Sequence, residues 1–295
     1  MENKDLGTAA VAYKKRSQLA DIWSRFKRNK MAVVGLVILV IMILVAIFAN
    51  QIADFETRAI SQNIPNRLAP PSAEHWFGTD EFGRDIFARI VHGTRVSLQV
   101  GVISVGIALI IGGFLGALAG FYGGLTDNVI MRIMDVFLAV PGMLLAIAIV
   151  AALGSSMTNL MVAVGISSMP IYARIVRASV LSVKDMEFVE ASRAIGAKNM
   201  TIIMSHIIPN SLAPVIVQAT LGVAGAILAT AALSFIGLGI QPPNPEWGAM
   251  LSSGRAFMRD HPHVVMFPGL FIMFTILVLN MIGDGLRDAL DPRLK

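Results

Sequence analysis

The sequence predicts an all-α integral membrane protein with six transmembrane helices and both termini in the cytoplasm. Three observations carry that expectation. Hydrophobic residues make up 55% of the 295-residue chain and charged residues only 15%, with a mean hydropathy of +0.70; an average soluble chain has roughly 25% charged residues. Six apolar stretches are each long enough to cross about 30 Å of hydrocarbon at about 1.5 Å per residue. Threading them with both termini inside puts 17 of the 24 Lys/Arg on the cytoplasmic side and seven outside, which obeys the positive-inside bias.

Residues 1–30 form the cytoplasmic N-terminus. They hold Lys4, Lys14, Lys15, Arg16, Arg25, Lys27, Arg28 and Lys30 against Glu2, Asp5 and Asp21, and the rest of the chain is balanced. So confined an excess reads as a topological signal rather than a nucleic-acid patch. Leu19, Ile22, Trp23 and Phe26 recur at i, i+3, i+4, i+7 with Arg25, Lys27 and Arg28 among them. That pattern predicts an interfacial helix with its cations toward anionic membrane lipid, the plainer alternative being a juxtamembrane extension. The first span, 31–53, is longer than a signal-peptide core of about 7–15 residues and shows no cleavage site, so it is read as a membrane span.

An extracytoplasmic loop follows at 54–95, with Pro65, Pro70 and Pro71. The remaining core, 96–288, is read as spans at about 96–122, 129–153, 157–175, 207–238 and 264–283, a cytoplasmic loop at 176–206 and a tail at 289–295. The outer segment 239–263 carries Gln241-Pro242-Pro243-Asn244-Pro245-Glu246-Trp247-Gly248, whose breakers predict a rigid, non-helical connection with Trp247 anchored at headgroup level.

Inside the spans, Gly112, Gly116 and Gly120 make a small-residue helix-packing stripe, and Gly222, Gly225, Ala226, Ala229 and Ala232 make another. Each lets a second helix approach closely, within this subunit or from a neighbour. Arg132 and Asp135 share a helical face near the inner boundary, where they can pair or snorkel. Pro141 is expected to kink the third span. No charge falls in the middle of any span, unlike a proton relay or voltage sensor.

No G-x-x-x-x-G-K-[ST], H-E-x-x-H or G-x-S-x-G occurs, so the usual nucleotide-binding, zinc-protease and serine-hydrolase readings find no support. His261 and His263 flank Pro262 without nearby carboxylates or thiols and read as a passive loop rather than a metal site.

The cytoplasmic loop carries the most information. Ser182-Val183-Lys184-Asp185 fits a capping-box start and Gly196 a helix stop. Between them Phe188, Ala191, Ser192 and Ile195 share one face, with Glu187, Glu190 and Arg193 around the rest. Periodicity leaves two readings open: a helix resting on the membrane, or one that inserts its apolar face into a groove on a cytoplasmic protein.

Glu190-Ala191-Ser192, three residues, then Gly196, and later Ile208-Pro209 resembles the EAA loop of ABC-type import permeases. The chain departs from that pattern at Ser192, His206 and Ile208. Phe77-Gly78-Thr79-Asp80-Glu81-Phe82-Gly83-Arg84-Asp85, the segment 241–251 and the terminal Gly283-Asp284-Gly285-Leu286-Arg287-Asp288 are also similar to the C-type permease subunit of dipeptide, oligopeptide, glutathione and nickel importers.

The resemblance implies the MetI-like ABC type-1 permease fold in the cytoplasmic (inner) membrane. It implies a homologous second permease subunit, two cytoplasmic ATP-binding subunits and an extracytoplasmic substrate-binding protein as partners. ATP and Mg would be bound by the ATPase partners and no cofactor by this chain, which is then not itself an enzyme. Glu187, Glu190, Ala191, Ser192, Arg193, Gly196 and Pro209 would couple to the ATPase. Short peptides are the expected cargo, with glutathione or nickel as alternatives. An ion-coupled carrier or channel would need intramembrane acids or filter glycines, and an intramembrane enzyme a buried nucleophile and base.

Overall fold

The computed structural model describes residues 18–290. The cluster Lys4, Lys14, Lys15 and Arg16 and the end of the tail lie outside the described residues. Those described are helical, with one isolated β-bridge between Thr79 and Asp85. In order they are α1 (Gln18–Phe26), α2 (Lys30–Ile47), α3 (Ala49–Ile52), α4 (Ile86–Tyr122), α5 (Gly124–Ala139), α6 (Gly142–Leu153), α7 (Met157–Val183), α8 (Glu187–Ala194), α9 (Asn199–Ile202), α10 (Ile208–Phe235), α11 (Trp247–Gly254) and α12 (His263–Leu290).

Spans are supplied by α2, α4, α7, the continuous run 199–235 and α12, each long and apolar enough to cross a membrane. The sixth crossing is not the single kinked helix read over 129–153. α5 and α6 meet at 87°, because Pro141 (φ −52°, ψ 128°) leaves the helical region and starts α6 afresh. Other boundaries also move. α4 begins at Ile86 rather than at 96, capped by Asp85, whose carboxylate accepts from the Ala88 N–H at 3.0 Å. α7 runs on to Val183 rather than ending at 175, and α12 on to Leu290 rather than 283.

α1 forms as its periodicity predicts, but Phe26 is buried against Ala32, Val278, Ile282 and Ala289, so part of its apolar face packs on α12 instead of lipid. Trp23 stays half exposed beneath Lys27, whose ammonium lies 5.0 Å from the ring centre. α2 follows after Asn29, which accepts from the Ala32 N–H. At its outer end the Arg95 guanidinium donates to the carbonyls of Ala46 (2.9 Å) and Ile47 (3.1 Å). A cation there satisfies orphaned carbonyls and complements the helix dipole.

α4 and α7 pack along their length, and the Gly112/Gly116/Gly120 stripe is the reason. A methyl group on Gly112 would strike the Met169 carbonyl, one on Gly116 the Ala173 carbonyl, and one on Gly120 Val180. Between lipid-soluble helices, close approach of this kind takes the place of hydrophobic expulsion from water. The stripe is therefore spent inside the subunit. The α10 stripe divides: Gly222 presses on the Tyr172 hydroxyl, whereas Gly225 meets nothing within 4 Å.

At the end of the bundle opposite α8, the outer end by the positive-inside bias of the sequence, the loop at 54–85, the first turns of α4 and the segment at 239–263 fold together. The second is not wholly non-helical, since Gly248 lies inside α11 and allows that helix to touch the Ala231 backbone. Glu246 starts α11, its carboxylate accepting from Gly248 (2.9 Å) and Ala249 (2.8 Å). Burial pushes that carboxyl above its ordinary range, against the two N–H groups. Trp247 is 0% exposed and donates through Nε1 to the Ile90 carbonyl at 3.2 Å. It is a core residue, not a headgroup anchor; its indole has found a protein carbonyl.

Candidate functional site

The inner end of α7 leads directly into the loop singled out from the sequence. The capping box expected at Ser182 does not form, because α7 is still helical there and the Ser182 hydroxyl donates back to the Ser179 carbonyl at 2.8 Å. Met186 takes the cap position instead, with extended backbone and no side-chain bond to the helix. Glu187 and Glu190 occupy the first turn of α8 and Arg193 the last, the order that suits the helix dipole.

α8 ends in a Schellman motif. The Gly196 N–H donates to the Arg193 carbonyl at 2.9 Å and the Ala197 N–H to the Ser192 carbonyl at 3.1 Å. Gly196 sits at φ +79° with open space around it, so glycine is required there by backbone conformation and not by crowding.

Only a narrow face of α8 is held. Val189 is fully buried in the cluster of Phe121, Val176, Val180, Val183, Ile202 and Ile207, and Ser192 is 7% exposed. The Arg193 guanidinium lies 5.4 Å from the Phe121 ring centre. The face expected from Phe188, Ala191, Ser192 and Ile195 is therefore split: Ser192 turns inward, while Phe188, Ala191 and Ile195 turn out with Glu187 and Glu190. Ile195 is 85% exposed. Met186, Met200 and Met204 add apolar surface around it, and flexible thioether chains suit an adaptable contact. Sequence reasoning missed those three methionines; i, i+4 spacing links Met200 to Met204, and no such pattern marks Met186.

Past the loop, residues 203–207 form a π-helical turn before Pro209 opens α10. Proline lacks the N–H that would extend a regular ladder, and the wider turn absorbs that loss. Asn210 donates to the His206 carbonyl at 2.7 Å.

Two ion pairs fasten α5 to α7 above this loop. Arg177 grips both carboxylate oxygens of Asp127 along one guanidinium edge, Nε donating at 2.5 Å and Nη2 at 2.6 Å. Arg174 donates to Asp135 at 2.7 Å. Asp135 thus pairs across helices rather than with Arg132, which makes no ion pair among the described residues.

On the outer side, Asp80 accepts from the N–H groups of Phe82 and Arg84 and from Arg84 Nε at 2.7 Å, with Arg89 Nε at 3.4 Å. Arg89 donates to the Ala59 carbonyl and His92 Nε2 to that of Ala53. Asp85 also pairs with His75 at 2.8 Å. His263 is buried beside Gly78, and so is not part of a passive surface loop.

Residues 112–295 match the family of the binding-protein-dependent transport system inner membrane component. Residues 17–71 match the N-terminal TM domain of oligopeptide transport permease C. A dipeptide transport system permease protein of Alkalihalophilus pseudofirmus is 55% identical over 275 residues, 93% of this chain and 90% of the relative. A glutathione transport system permease protein of Escherichia coli is 48% identical over 280 residues, 95% and 92% of the two chains. Among solved structures, an inward-facing MetNI methionine ABC transporter chain superposes with a TM-score of 0.57 at 18% identity, covering 69% of this chain and 96% of that one. That likeness concerns the fold alone.

Proposed function

This chain belongs to the family of binding-protein-dependent transport system inner membrane components, and from that premise we propose that α8 is where a cytoplasmic ATPase subunit grips it. The chain is a multi-pass permease subunit of an ABC importer in the cell inner membrane. In the proposed arrangement a homologous permease completes the path and two ATPase subunits bind ATP and Mg below. A binding protein delivers solute outside, and both termini of this chain lie in the cytoplasm.

The observation that carries the assignment of α8 is its exposure. An eight-residue helix keeps Ile195, Phe188 and two carboxylates in solvent while only Val189 and Ser192 anchor it. Exposed apolar surface rimmed by charge marks a protein contact. Glu187, Glu190, Ala191 and Arg193 meet the ATPase in this reading, Ser192 and Gly196 shape the helix, and Pro209 sets the start of α10. Closure of the ATPases displaces α8 and tips the spans between two arrangements separated by a few kcal/mol.

The cargo we propose is a short peptide, from the 55% identity to a dipeptide permease. Glutathione, itself a peptide, is the second reading, from the 48% identity to glutathione permeases. The test is uptake by the complete transporter in liposomes. Gly196→Pro, which cannot adopt positive φ, is expected to insert and assemble yet lose ATP-driven uptake. Parental uptake by that variant overturns the role given to α8.

A further inference from the structure

A charged, irregular wall runs up one side of this subunit, and we propose that it lines the water-filled path and receives the charged ends of a zwitterionic solute. The inference rests on the permease reading above and assigns the path wall within it. Two independent features point to the same face.

The first is backbone. α4 descends to Tyr122 and α7 begins at Met157 on the other side, so α5 and α6 together must cross the bilayer. Their break falls between the two sides, and Val140, Pro141 and Gly142 are all exposed there. Non-helical backbone at membrane depth is tolerated only inside protein or along a water-filled cavity, never against lipid.

The second is charge. The Arg174–Asp135 pair is 54% and 49% exposed. Arg174 lies 17 residues below Met157, about 26 Å along the helix, within the roughly 30 Å hydrocarbon thickness. The pair thus lies about 4 Å from the inner hydrocarbon boundary, where a water-filled vestibule covers an exposed ion pair at less cost than acyl chains do. Next to it, Asn128, Arg132, Ile133 and Asp135 bound an open concavity of about 640 Å³, within the about 300–1,000 Å³ range of small-ligand sites.

α5 presents this surface without burying it: of its residues only Met134 is fully enclosed. Asp127–Arg177 and Asp135–Arg174 meanwhile hold it to α7, the helix that enters α8. A cation at Arg132 and a carboxylate at Asp135, one turn apart, offer complementary partners to a solute with an amino end and a carboxylate end. The contact is wet and shared with the existing ion pair, so it is weak, as a path must be to let its cargo leave.

The chain contains no cysteine, so single cysteines report their own surroundings. The complete transporter would be reconstituted with Asn128→Cys, Val136→Cys or, on the lipid side of α2, Val37→Cys. Each would meet membrane-impermeant thiosulfonates carrying either a sulfonate or a trimethylammonium group, with labelling read by the mass of the permease. Positions 128 and 136 are expected to react and 37 to stay unmodified. Adding Arg132→Gln to Asn128→Cys should shift the sulfonate-to-ammonium rate ratio by about 30-fold toward the cation, because a unit charge about 4 Å away in water changes each rate about fivefold in opposite directions. Silence at both 128 and 136, with and without ATP, overturns the assignment and leaves lipid or the second permease as the cover. Uptake by the parental transporter is scored separately, so a failure of the permease reading shows as lost uptake whatever the labelling.

Discussion

The outer and inner ends of this molecule are held by opposite means. Outside, Asp80, Arg84, Arg89 and His92 are each less than 7% exposed and pair with one another or with backbone carbonyls, Arg89 Nε alone facing Asp80 at 3.4 Å without a hydrogen bond. Inside, α8 hangs from Val189 and Ser192, with its charges in solvent. Buried charges fully paired fix one geometry, because no alternative arrangement satisfies them as well. An exposed helix on a narrow apolar hinge fixes little by itself. The outer end is built to keep its shape, and the inner end presents surface to something else.

Three substitutions break or sharpen this contrast. Asp80→Ala has the largest expected effect, a loss of about 3–5 kcal/mol, since two buried guanidinium groups lose their carboxylate; thermal unfolding in detergent reads it. A melting point equal to the parent's would mean the outer ion cluster does not hold that end. Glu246→Ala should cost about 1 kcal/mol through the lost cap of α11, visible as faster hydrogen exchange at Gly248 and Ala249. Ile195→Ser should stay within about 0.5 kcal/mol of the parent while reducing recovery of ATPase subunits with the permease. A fall in melting temperature comparable to that of Asp80→Ala would erase the distinction between the two ends.

The sequence made the apolar interiors of the spans readable and hid their ends. Reading the second span from 96 leaves Arg89, His92 and Arg95 in the loop, whereas α4 begins at Ile86. In the fold their side chains reach the carbonyls of Ala59, Ala53 and Ala46, long-range partners that no local pattern displays. Trp247 reads as a headgroup anchor because its carbonyl partner, Ile90, is 157 residues away and invisible to local pattern. Ser182 has the composition of a cap, but α7 overrides it, and tertiary packing of Val180 and Val183 decides. Gly196 was legible because a C-terminal glycine acts through its own backbone. Pro141 announced a disturbance, yet whether a proline bends or severs a helix depends on neighbours that local sequence does not name.

α7 has a consequence beyond packing. It stays helical for 27 residues, about 40 Å, down to the foot of α8, with Pro170 inside it as the one residue that gives the ladder no N–H. Under the coupling proposed above, a push on α8 enters this rod at its lower tip and reaches the upper one as tilt, less whatever bending Pro170 permits. In that proposed arrangement the glycine track of α4, where α7 packs closest, is the natural fulcrum, and re-siting one glycine would change the gearing.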